Sequence, residues 1–370
     1  MSAPTLRTAP AHAAPLLLAG WLGLAAGSGW AAAPAPLGAQ QVLREFNLVT
    51  LGQAQMASHV DGRSYIGGTL TGQGAVFAMH PQDMPASSTG YAGLTVAGNA
   101  SGLHVTADGA TVLGHLSNAN INNGPVVVGG NASNSNFNGS GGSYVYGSRS
   151  GVNANSGNLS LGSAQAATAV AQSTDFASVL HGLSDNLASL ASTGSHWNVN
   201  GGKVTFHAVA DAQGLAVFDL TAVDDSLLAL SEFEFDLGSA TTVIFNTDVS
   251  AAQINANFLG GSAQAIGSRT IWNFYNATSL NLGTQFGGAV LATEATLTHS
   301  NNIEGGVFVQ SLVQYGEIHL QAFSGTVPTV SAVPEPGTWA LLLAGLAPVL
   351  RRARRAALHG AGRGFGPARS

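Results

Sequence analysis

The sequence predicts a mainly β protein in which short strands stack as a β-solenoid, with one amphipathic α-helix packed alongside. Three observations predict it. Apolar runs ending in glycine recur at a nearly fixed step: Tyr65-Ile66-Gly67-Gly68, Thr95-Val96-Ala97-Gly98, Thr111-Val112-Leu113-Gly114, Val127-Val128-Gly129-Gly130 and Tyr144-Val145-Tyr146-Gly147. From Gly98 onward the steps are 16, 16 and 17 residues, the mark of coils each too small to fold alone. A later pair, Ala289–Ala292 and Gly306–Val309, repeats 17 residues apart at its valines. Only one stretch has helical period. Finally, the 370 residues include 49 Gly and no Cys, and only 8% are charged while 45% are hydrophobic. That apolar content can build a core, whereas so few charges argue against a charged helical bundle or a basic nucleic-acid binder. Without Cys there is no disulfide scaffold, thiolate metal site or thiol nucleophile.

Taken in order, residues 1–35 read as a secretory signal peptide with a signal helix. Arg7 precedes an apolar run from Ala13 to Ala26 and small residues from Gly27 to Ala35, the order of n-region, h-region and cleavage site. The run is shorter than the ~20 residues of a membrane span. Residues 36–325 are the folded domain. Glycine is expected at its corners to supply positive φ, and Asn131, Asn134, Asn136 and Asn138 add turn formers that tolerate the left-handed region. Tyr91, Tyr144 and Tyr146 read as solenoid core more readily than as rings that stack on sugars. The helix is predicted over about 174–192, from Phe176, Val179, Leu180, Leu183, Leu187 and Leu190 at steps of three and four. Asp175 is its candidate N-cap and Gly194 its stop; an earlier start within 164–172 is also compatible.

Strands return at Lys203–Val209, Leu215–Leu220, Ser231–Leu237 and Thr241–Asn246. Alternation places Phe233 and Phe235 on one side and Glu232, Glu234 and Asp236 on the other. With Asp224 and Asp225 these carboxylates are weak calcium candidates, because calcium needs about six to eight oxygens converging from several places. No other cofactor is indicated. Residues 326–336 are a linker carrying Val333-Pro334-Glu335-Pro336. Residues 337–356 hold a short apolar membrane helix, Trp339 to Leu350, stopped by Arg351, Arg352, Arg354 and Arg355 as in a stop-transfer signal. Residues 357–370 are a tail. Between 34 and 336 only five basic side chains face all 18 carboxylates, a net charge of −13 that disfavours nucleic acid and anionic lipid.

The Val-Pro-Glu-Pro motif, the short apolar helix and the arginine cluster closely resemble the PEP-CTERM sorting signal of Gram-negative bacteria. That resemblance implies processing by an exosortase, a transient inner-membrane anchor, then a place at the cell surface or in an exopolysaccharide matrix of the kind that builds biofilm. The middle of the chain resembles the choice-of-anchor A family over roughly 41–323. The motifs are Phe46–Gly52, His59-Val60-Asp61-Gly62-Arg63, Ile66-Gly67-Gly68, Trp272–Ala277, Gly288–Ala292, Asn302-Ile303-Glu304-Gly305 and Gly316-Glu317-Ile318-His319. One departure is Thr293-Glu294, where Pro-Asn is the family's habit. The C-terminal half is similar to the ice-binding adhesin fold, which implies a right-handed β-solenoid with a helix beside it.

The expected function is therefore that of a non-enzymatic exported surface or matrix protein with an adhesive role, extracellular polysaccharide being the partner its Asn, Ser, Thr and Gly side chains suit. Two alternatives stand beside it. A polysaccharide-active enzyme would need two carboxylates at a set separation; Asp61, Asp224, Asp225 and Glu304 are available, but no Gly-x-Ser-x-Gly or His-Glu-x-x-His motif occurs. The histidines (His59, His104, His115, His181, His196, His207, His299, His319) look scattered. An ice-binding adhesin would need stacked threonine rows, and the sequence offers only the pairs Thr69/Thr71 and Thr296/Thr298.

Overall fold

The structure, a computed structural model, describes residues 33–155 and 157–328. The sorting signal (Val333–Pro336, Arg351–Arg355) and all but the last three residues of the export signal lie outside them. Among the described residues no helix is long and apolar enough to cross a membrane.

Twenty-three short strands join in one sheet whose pairings are all parallel. The glycine-ended runs become strands that stack in register: Leu94–Val96, Ala110–Val112, Val126–Val128 and Ser143–Val145. Their inward residues Val96, Val112 and Val128 are buried one above another. A parallel pair cannot close through a hairpin, so the chain travels one whole coil of the repeat before the next strand pairs with the last. The 16-residue step is the length of one such coil.

The glycines that end the apolar runs have a different physical reason from the expected one. Gly68, Gly98, Gly114, Gly130 and Gly147 do not have positive φ. What excludes a side chain is the coil beneath. A Cβ on Gly98, Gly114 or Gly147 would lie 2.5, 2.6 and 2.7 Å from the carbonyl oxygens of Gly68, Gly98 and Gly130. Positive φ is supplied, as expected, at the corner before the first strand, by Gly109, Gly124 and Gly142 with φ of 68°, 93° and 79°, and also inside the next strand, by Gly102, Asn118, Asn134 and Gly151 with φ of 70°, 52°, 47° and 64°.

The order of coils does not follow the chain. Leu48–Thr50 pairs with Ser64–Ile66 on one side and with Val307–Val309 on the other. The first coil of the domain is thus stacked directly on the last. From this seam the chain climbs to Ser143–Val145 at one end. It reappears at the other end in Leu215–Asp219 and steps back through Thr242–Thr247, Thr270–Phe274 and Ala289–His299 to Val307–Gln314. Asn47 locks the seam with its side chain. Its Nδ2 donates to the carbonyls of Gly305 and His319, both at 3.1 Å, and its Oδ1 accepts from Gly62 N at 3.0 Å.

Helices carry the chain between the two ends. α1 is Ala39–Glu45 and α2 is Leu161–Ala171, followed by α3, Phe176–Ala188. The helix predicted over about 174–192 is α3, and α2 precedes it as a separate helix. Ser160 caps α2 through Ser163 N, and Asp175 starts α3 afresh by accepting from Ser178 N at 3.1 Å. α2 lies against Ala110–Val112 and Val126–Val128, while α3 lies against the later strands. Its apolar stripe of Phe176, Leu180, Leu183 and Leu187 packs on Val217, Ile244, Ile271, Leu291 and Phe308. Two short helices complete the set, α4 at Asp224–Leu228 and α5 at Ser262–Gly267.

The predicted later strands form at Lys203–His207, Leu215–Asp219, Glu232–Asp236 and Thr242–Thr247. The first and third belong to a separate four-stranded sheet with His196–Asn200 and Asn257–Phe258. Parallel register also stacks aromatic rings. Phe218, Phe245 and Trp272 occupy paired positions, with ring centroids 4.5 and 4.1 Å apart, close to the ~4.8 Å between strands.

One buried group ties stability to pH. His299 is fully buried, its Nδ1 is 2.9 Å from the Asn301 carbonyl, and its Nε2 has no partner. Burial holds its pKa down to about 4. In the unfolded chain it takes a proton near pH 6.5, so between about 6.5 and 4 the unfolded state binds more protons. Stability is expected to fall as pH drops through that window, by about 3 kcal/mol at most. Denaturant midpoints at stepped pH check this; His299→Leu should flatten that limb, and an unchanged slope in the variant would refute the assignment.

Candidate functional site

The second strand of each coil builds a broad outer face. Ala100–Val105, Leu116–Ile121, Ala132–Phe137 and Arg149–Ala154 pair in register. The left-handed residue in the middle breaks strict alternation, so Ser133 and Asn134 both face out before Ser135 turns in. The coils with asparagine there, at Asn118 and Asn134, thereby present two neighbouring outward side chains where a regular strand presents one.

One outward row runs the length of this ladder and crosses the seam. In paired positions stand Gln253, Asn281, Thr298, Val313, Gln55, Thr71, Ser101, Ser117, Ser133 and Ser150. None is charged, and all but Val313 carry a hydroxyl or amide. Beside it runs a hydrogen-bonded asparagine ladder. Asn120 Nδ2 is 2.9 Å from His104 Nε2, Asn153 Nδ2 donates to Asn136 Oδ1 at 2.8 Å, and Asn155 Nδ2 donates to Asn138 Oδ1 at 2.9 Å. These bonds hold the amides at fixed orientation.

Where the row crosses the seam, Gln55, Gln73, Val313, Gln314 and Tyr315 line a shallow depression. Tyr315 is 62% exposed, the highest among the exposed large hydrophobic side chains. An exposed ring flanked by amides is a chemically apt platform for a pyranose: the ring face covers the sugar's C–H surface and the amides bond its hydroxyls. Sequence reasoning missed Tyr315. Its signal was an aromatic residue just past the end of a strand and before Gly316, outside the repeat that drew attention to the other tyrosines.

Those other tyrosines divide. Tyr91 is core, edge-on to Phe46 and Phe176. Tyr144 is half-buried, but Tyr146 is exposed, contrary to the core expectation, and their rings meet at 4.8 Å. Both belong to the terminal coil, where no further coil stacks to cover them.

The acidic candidates are held by protein groups. Asp224 is buried and accepts from Thr247 Oγ1 at 2.6 Å and from the amides of Asp248 and Val249. Glu234 takes Lys203 Nζ at 2.7 Å and Thr205 Oγ1 at 2.8 Å, which keeps its carboxyl below its ordinary pKa. Asp236 lies 3.3 Å from His207, and Asp225 and Glu232 flank them in sequence. Among the described residues these five do not form a converging ligand cluster. Two histidines that look scattered in sequence meet in space: His59 and His319 stack with centroids 6.3 Å apart, beside Asp61 and Glu304.

The left-handed positions give a direct check on this face. Asn134→Gly is expected to change stability by only a few tenths of a kcal/mol. Asn134→Val should cost about 1–3 kcal/mol, because a β-branched residue resists that conformation. Urea midpoints separate the two; equal stability would mean Asn134 is not held left-handed.

A family model described as "Putative Ice-binding-like adhesive domain" matches residues 39–320. No curated protein and no solved structure matches the chain.

Proposed function

The chain belongs to the ice-binding-like adhesive domain family, and from that premise we propose that it is a non-enzymatic cell-surface adhesin whose ligand is a neutral, hydroxyl-rich polysaccharide. The observation that carries this reading is the uncharged outward row crossing the seam beside the exposed ring of Tyr315. Coils stack at ~4.8 Å, so a polymer lying along the row meets a hydroxyl or amide at every strand except that of Val313. In this reading the stacked coils form a right-handed β-solenoid over residues 36–325. The signal peptide exports it, the Val333–Pro336 motif and the arginines Arg351–Arg355 anchor it briefly in the inner membrane, and an exosortase releases it to the surface or exopolysaccharide matrix.

The row also bears on ice. Thr298 stands between Asn281 and Val313, and Thr296 between Ser279 and Ser311. Such a mixed row offers hydrogen bonds without the repeated threonine methyls of a lattice-matching face, which favours a sugar polymer over ice.

Binding to immobilised neutral polysaccharides tests the proposal. Tyr315→Ala should weaken binding at least tenfold while leaving stability within about 0.5 kcal/mol, because the ring is exposed. Unchanged binding by Tyr315→Ala and by the paired change Gln55→Lys/Thr71→Lys would defeat the face as the binding surface. Sorting is tested separately: Glu335→Gln is expected to leave an uncleaved tail in the inner membrane, seen by the mass of the protein in each fraction. Normal release of that variant would remove the exosortase step.

A further inference from the structure

At the seam a third parallel ladder pairs Ile303–Glu304 with Ile318–His319, Ile318 with Val60, and Val60 with Phe77. Ile303, Ile318, Val60 and Phe77 are buried inward. In this register Glu317 lies beside His59, and His319 lies between Glu304 and Asp61. Two short motifs from opposite ends of the domain, His59-x-Asp61 and Glu317-x-His319, therefore converge through β alternation.

We propose that His59, Glu317 and His319, with Asp61 as a fourth donor, bind one transition-metal dication, zinc by the character of the ligand set, and that this ion ties the first coil to the last. One ligand atom from each of the first three lies within 4.8 Å of the other two. His59 Nε2 is 3.6 Å from Glu317 Oε2 and 3.6 Å from Asp61 Oδ1. Tetrahedral zinc with bonds of ~2.1 Å spaces its ligand atoms about 3.4 Å apart, so these separations need little adjustment. Asp61 supplies a second, independent pointer. Its side chain is 6% exposed, its Oδ2 accepts from Leu320 N, and its Oδ1 has no hydrogen bond of good geometry, although His80 Nδ1 lies 3.1 Å away.

Glu304 orients the site from behind. Its carboxylate is 3% exposed and is held by Gln285 and Gln264 at 2.8 and 3.3 Å. It takes His319 Nδ1 at 2.8 Å, leaving Nε2 directed at Glu317. A histidine whose far nitrogen is fixed by a carboxylate is the recurrent outer arrangement of zinc sites. Without metal, Glu317 Oε2 lies 2.8 Å from His319 Nε2. Two imidazoles select against calcium and magnesium, which prefer oxygen alone. The partly exposed side chains of His59, Glu317 and His319 leave an entry path for the ion. The inference stands apart from any ligand on the outer polar face.

Calorimetric titration of the chelator-treated full chain with zinc chloride tests it. The expected result is one equivalent bound, with a melting temperature that rises with free zinc by mass action. His59→Gln and Glu317→Gln should each weaken binding at least tenfold, and Glu304→Gln about tenfold. His181→Gln, outside the cluster, should bind as the parent does. Circular dichroism of the metal-free variants verifies folding. Should one fail to fold, cobalt absorption of the parent decides: intense four- or five-coordinate bands support the site, and a weak octahedral spectrum overturns it. Absence of saturable one-equivalent binding, equal affinity in His59→Gln, or equally tight calcium binding would also overturn it.

Discussion

Parallel register at the seam is the constraint on which the rest of the domain depends. Leu48–Thr50 has neighbours on both edges, Ser64–Ile66 from the same end of the chain and Val307–Val309 from the far end. Were either pairing lost, two stacks would each show a raw strand edge with unpaired amides and carbonyls. The polar side chains concentrated there serve that closure. Asn47 bonds three backbone groups of flanking segments. Arg63, almost wholly buried, donates to the carbonyls of Tyr91, Glu45 and Pro85 and to the Asp108 carboxylate. A buried guanidinium is tolerated only when its donors are satisfied in this way.

Placing the first coil on the last also dictates the helices. The chain climbs away from the seam to one end and must begin again at the other, so a connection has to run back along the flank. α2 and α3 are that connection; α2 lies on the strands it passes through small alanines, and α3 buries an apolar stripe. Their break at Ser173–Asp175 falls near the seam level, where Phe176 meets Phe46, Tyr65 and Tyr91. The helix pair thus contacts coils from both halves, and its apolar face reinforces the closure that backbone pairing begins.

Much of this was legible in the sequence, for reasons that are local. The coil length appears as a repeat of 16 to 17 residues, and α3 shows its stripe and its Asp175 cap. Positive φ was rightly expected at corners such as Gly109 and Gly124, but the glycines that end the apolar runs were misread: close approach of stacked backbones leaves no φ signature in sequence, and a left-handed turn demands the same residue. α2 escaped notice as a separate helix because the alanines in 164–171 carry no apolar stripe of their own. The seam was not legible. Which coil stacks on Leu48–Thr50 depends on register between segments some 250 residues apart, and each looks like any other strand of the repeat. The same distance hid the meeting of His59 with His319, and left Tyr315 outside every repeat that could have marked it.

The outer face and the seam are joined by geometry. The uncharged row passes from Thr71 through Gln55 to Val313 and Thr298, so half of it belongs to each arm of the chain. A slip of one residue at the seam would turn every outward side chain of one arm inward and cut the row in two at Tyr315. Charge distribution points the same way. Residues 34–336 carry a net −13, yet the row holds no charge, so the acidic surface lies around it and keeps the protein soluble while the row itself is left to hydrogen bonding. Charges farther than about 8 Å are screened at physiological ionic strength. A neutral polymer on this face would meet dipoles and ring surface rather than the domain's net charge, and its grip would depend on the register that closes the stack.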